Sequence, residues 1–132
     1  MNIHHLSPVI RTIALLALLG LSASAAFAGS SNKWRIEVSE GANSDGEIVF
    51  NVTPDDGEAI EVRVAVKDGT RENKVARTIS DAFESQLPSD DYHVEVDDGE
   101  DVLVKKKRGA ENFDLNLVSS TVKSVRIDIE KE

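Results

Sequence analysis

Seven stretches of this chain carry an apolar residue at every second position, and one stretch carries apolar residues at helical intervals. The period-two sets are Trp34, Ile36, Val38; Ile48, Phe50, Val52; Ile60, Val62, Val64, Val66; Tyr92, Val94, Val96; Val102, Val104; Phe113, Leu115, Leu117; and Val125, Ile127, Ile129. Successive side chains of a strand point to opposite faces, so each set reads as a strand with one buried and one wet face. Between the third and fourth sets, Val75, Ala76, Ile79, Ala82, Phe83 and Leu87 fall on one stripe of an α-helix. Thr70 is the expected N-cap, Glu72 suits the positive end of the helix dipole, and Pro88 stops the helix behind Leu87.

The order βββαββββ leaves seven apolar faces and one stripe to bury. An α+β fold does this most simply, with a mainly antiparallel sheet of about seven strands packed on one amphipathic helix. A helix of about 17 residues is roughly 25 Å long. Seven strands outreach it, so a strongly curled sheet or a partial sandwich is compatible with the pattern.

Residues 1–28 have the layout of a secretory signal: Arg11, then the apolar run from Ile13 to Leu21, then small residues ending in Ala26-Phe27-Ala28. Cleavage after Ala28 is the expectation, with delivery to a periplasm or the medium and no membrane association afterwards. The alternative is retention as an anchor, since apolar and small residues continue as far as Ala28. A short flexible segment, 29–32, then leads into a single α+β domain over 33–132.

Removing 28 of 132 residues leaves 104, enough for one core and too few for two. The removed segment carries only Arg11, so the net charge of −9 becomes −9 − 1 = −10. Such a surface repels nucleic acid and anionic membranes and attracts a basic protein. With no cysteine, thiolate chemistry is closed and packing must supply the stability.

The most charged stretch, "VEVDDGEDVLVKKKRG" at 94–109, reads as a hairpin. Keeping the valines on one face pairs Val96 with Val102 and Val94 with Val104, which sets Asp97 against Asp101 around the loop Asp98-Gly99-Glu100. Asp97 and Asp101 are weak candidates for a metal ion, because facing carboxylates attract a counter-ion. The spacing does not match a calcium loop, however. Alternation turns Lys105 and Lys107 outward and leaves Lys106 at the rim, as lysines that guard a sheet edge or, alternatively, bind an anion. Glu95 lies diagonal to Lys105.

His93 is the histidine that remains after His4 and His5 leave with the signal, and no second histidine or cysteine completes a zinc set. His93, Glu95, Lys105 and Lys107 together form a possible binding surface. The glycine and serine spacing of "GANSDG" does not fit a nucleophile elbow, and no phosphate-cradling loop is present. The pattern implies no cofactor.

These observations favour a small exported acidic domain, non-catalytic, that binds another protein or belongs to the envelope. One variant is an acidic inhibitor or immunity protein against a basic secreted enzyme. Another is an assembly module acting by strand addition, with the first strand, "KWRIEVSE", as the open edge. The enzymatic alternative is a hydrolase built on His93 and nearby carboxylates.

Overall fold

The structure is a computed structural model that describes residues 29–132, so the expected signal segment lies outside the described residues. The elements run β1 (Lys33–Ser39), β2 (Gly46–Pro54), β3 (Ile60–Val66), α1 (Glu72–Gln86), β4 (Tyr92–Asp97), β5 (Asp101–Lys106), β6 (Phe113–Ser120) and β7 (Arg126–Lys131). This is the α+β order implied by the periodicities. The strands form two antiparallel sheets, one of four strands in the order β4-β5-β1-β7 and one of three in the order β3-β2-β6.

α1 packs against β3 of the small sheet and against β4, β5 and β1 of the large one, and so closes one side of the sandwich. The opposite edges, β6 and β7, lie beside each other. The α1 stripe faces inward as its spacing requires: Val75, Ala76, Ile79 and Phe83 are fully buried. The Phe83 ring meets Phe50 edge-on at 5.1 Å, and Tyr92 meets Phe113 in the same way at 5.1 Å. Full burial of a side chain of this size stabilises by about 1.5–3 kcal/mol. The Trp34 indole, also buried, donates to the Phe113 carbonyl at 2.8 Å, which satisfies its polar edge.

The start of the helix differs from expectation. Arg71, not Thr70, occupies the N-cap position and makes no side-chain cap. Thr70 instead donates its hydroxyl to the Lys67 carbonyl at 2.6 Å, closing the preceding turn. The Glu72 carboxylate accepts from the Glu40 backbone N–H at 2.7 Å. At the far end Leu87 takes an extended conformation ahead of Pro88. Gln86 there holds β3 from the side: it accepts from the Arg63 N–H and donates to the Arg63 carbonyl, both at 2.8 Å.

Strand order overturns two edge assignments. β1 is interior, between β5 and β7, and so is not an open edge. β5 is interior as well, between β4 and β1, so Lys105 does not guard an edge and Lys107 follows an interior strand. The true edges are β4 and β7, and β3 and β6. Along β6 the register against β2 shifts between Val49 and Phe50. Past Leu115 the buried face runs out, and Leu117, expected in the core, is 40% exposed. Within the 29–32 lead, Ser31 and Phe113 exchange two backbone hydrogen bonds of 2.9 Å.

Candidate functional site

The hairpin register is as the valines demand: Val94 opposes Val104, Val96 opposes Val102 and Asp97 opposes Asp101. The loop closes because Asp98 joins Gly99 in the left-handed region, with φ of 52° and 79°. Strand order then extends the row beyond the hairpin. Asp101 also opposes Glu37 on β1, and Glu37 opposes Asp128 on β7. Four carboxylates, one per strand, therefore stand in a straight line across the outer face of the large sheet. Adjacent strands are about 4.8 Å apart, and like charges directly opposite destabilise.

The next row along the strands reads Glu95, Leu103, Arg35, Glu130. Arg35 binds the acids around it. Its Nη1 donates to Asp101 at 2.7 Å and to Asp97 at 3.1 Å, while Nε and Nη2 grip the two oxygens of Glu132 at 3.1 Å each. The Arg35 side chain is only 18% exposed. The hydrogen bonds it donates to Glu132, then to Asp101, push its guanidinium pKa further up, and in return Arg35 holds Glu132 below the usual carboxylate range. Leu103, opposite Arg35, is buried although it lies on the face read as wet.

At Asp97 and Asp101, read from the sequence as weak metal candidates, the structure places the Arg35 guanidinium, which donates to both. The cation that the facing carboxylates attract is supplied by Arg35. Among the described residues, no group of three or more His, Asp or Glu side chains is placed to hold a metal ion.

Arg35 leaves an acid excess. Glu37 is raised above the usual glutamate range by Glu130 first, then by partial burial, Asp101 and Asp128. The hairpin tip adds to it, because Glu100 is raised by a hydrogen bond shared with Glu72 at the start of α1. The Glu100 carbonyl accepts from the Val38 N–H at 3.2 Å, so tip, β1 and helix start share this acidic end.

The other end of the face is basic. His93, Lys105 and Lys33 are cross-strand neighbours, with Lys33 4.0 Å from Glu132. His93 Nε2 lies 3.7 Å from the Glu95 carboxylate, and both side chains are about half exposed. Glu95 and Lys105 form no ion pair within 4.0 Å. His93, Glu95 and Lys105 thus share one face. Lys107 stands apart, lining with His93 and Glu84 a cleft of about 360 Å³ between the end of α1 and β4. On the other side of Tyr92, in a pocket shared with Asp91 and Asp56, burial and then those two carboxylates push its hydroxyl up.

Sequence reasoning found Asp97 and Asp101 but missed Arg35, Glu37, Asp128, Glu130 and Glu132. Each is an ordinary polar alternate in its own strand, and only the pairing of β1 with β5 and β7 aligns them. No protein-family model matches the chain, and no curated protein matches it significantly.

Proposed function

We propose that this protein is a small exported, non-catalytic binding domain that docks a basic protein against the acidic end of its large sheet. The observation that carries the reading is the in-register row Asp97–Asp101–Glu37–Asp128, in which the embedded cation, Arg35, is outnumbered. Arg35 donates to Asp97 and Asp101 but not to Glu37 or Asp128, and the crowding of Glu37 by Glu130, Asp101 and Asp128 is what a lysine or arginine of a partner relieves on contact. A net charge of −10 on the exported chain draws such a partner in from a distance, with an effect that weakens as salt screens it. An inhibitor or immunity protein against a basic secreted enzyme is the specific form this chemistry suits best.

The test is titration calorimetry of the protein with a lysine- and arginine-rich peptide at low and at high ionic strength. The reading requires binding that weakens with salt and drops about tenfold further when Glu37→Gln and Asp128→Asn are combined. Binding indifferent to both salt and the double substitution would rule it out. Export is tested separately: the protein recovered from outside the cytoplasm should begin at Gly29.

A further inference from the structure

We infer that β6 is a pairing edge and that its occupant is β6 of a second copy of this chain. Of the four sheet edges, three are guarded. The backbone of β3 is held by Gln86 at Arg63, β4 is packed by α1 and carries His93, Glu95 and Asp97, and β7 carries Arg126, Asp128, Glu130 and Lys131. Charges of this kind on an edge discourage another strand from joining. β6 has less protection: its one ionisable side chain is Asp114 near its start, and from Leu115 to Ser120 it bears none.

Its backbone is also available. Ser31 takes the outward N–H and C=O of Phe113, and period two places those of Leu115 and Leu117 on the same side, where no further strand of the small sheet follows. The large hydrophobic side chains that stand exposed among the described residues are Leu117, at 40%, and its neighbour Val118, at 52%. Beside them runs a groove of about 280 Å³ between β6 and β7, in which Trp34, Leu115, Leu117, Ile127 and Ile129 alternate with the polar Asn116 and Asp128.

Charge decides the occupant. A two-fold antiparallel pair sets each side chain against residues of the same strand in the other copy, so an edge bearing several like charges opposes itself. On a molecule of net charge −10, β6 is the edge where two copies meet without that cost. The pair would join the small sheets in the order β3-β2-β6-β6-β2-β3. The register shift opposite Val49 and Phe50 confines regular pairing to a short run centred on Leu115–Leu117, so the dimer is weak and concentration-dependent. Asp128 of the acidic row also lines this groove, but the pairing uses the β6 backbone and not that carboxylate, so either reading can fail without the other.

Sedimentation equilibrium on the protein recovered from expression of the full chain tests this, alongside Leu117→Lys. The expected result is a reversible dimer at submillimolar concentration, weakened about tenfold or more by a lysine that must face its own copy. A monomer at every concentration overturns the inference, and so does a dimer that Leu117→Lys leaves intact. Hydrogen exchange on the unmodified protein gives a second readout that does not depend on how the variant folds. The Leu115 and Leu117 amides should exchange more slowly as concentration rises, and concentration-independent exchange there overturns the inference equally.

Discussion

Arg35 on the large sheet and Arg63 on the small one each sit among carboxylates on an outer face, and the two do different jobs. Arg35 on the large sheet reaches Asp97, Asp101 and Glu132 with its side chain 18% exposed. Arg63 on the small sheet reaches Glu47 at 2.8 Å and Glu61 at 2.6 Å with its side chain 54% exposed. The surroundings separate them. Glu47 and Glu61 stand opposite Ala65 and Asn51, so no carboxylate there faces another across the sheet. Around Arg35, carboxylates oppose carboxylates on all four strands. The same side chain completes a balanced surface cluster in one place and restrains an acid excess in the other.

If that contrast is right, Arg35→Ala is the most damaging of the surface substitutions. It removes three partners at once and leaves half-buried carboxylates facing one another, so thermal unfolding should move down by about 5 °C or more. A smaller shift than that produced by Arg63→Ala would break the comparison.

The second effect is smaller and depends on pH. Glu37 and Glu100 are raised in the folded protein, so the folded state binds their protons more readily than the unfolded chain does. Their contribution is fully present below the ordinary glutamate value of about 4.3 and is lost as pH rises through the raised folded values. Glu132 has the opposite sign. Its pKa is lowered, so its contribution is present above that ordinary value and is lost as pH falls through the lowered one. Stability should therefore rise as pH drops from neutral toward the glutamate range and fall again below it. Glu37→Gln should raise the melting temperature at pH 7 and flatten the upper slope. If that slope is unchanged in Glu37→Gln, the crowding attributed to the acidic row is absent.

The smallest effect belongs to Arg63→Ala, expected to shift melting by no more than about 2 °C, as is usual for exposed pairs. Raised salt should shrink even that difference, and calorimetric melting at two salt concentrations measures it.

How much of this was legible in the sequence follows from the range of the forces involved. The valines at 94, 96, 102 and 104 fixed the hairpin register because the pairing is local and a slip by one residue would bury charges. The helix stripe was legible for the same reason, down to the inward turn of Phe83. The N-cap was misplaced because a threonine hydroxyl bonds as readily within a turn as at a helix start, and Thr70 takes the turn. The candidate site was half visible. Asp97 and Asp101 are neighbours through a tight loop, whereas Arg35 reaches them from 62 and 66 residues away along the chain. Alternation tells which face Arg35 is on but not which strands flank it, so its partners and the acid row stayed hidden. Leu103 is buried on a face that alternation alone leaves wet, opposite Arg35 on the neighbouring strand.

Calcium-dependent melting of the wild-type protein and of Arg35→Ala, each compared with sodium chloride at the same ionic strength, tests most directly whether Arg35 fills the place of an external cation. The account predicts that calcium adds nothing beyond ionic strength for the wild type and restores part of the stability lost in Arg35→Ala. Calcium stabilising the wild type as strongly as the variant would contradict it.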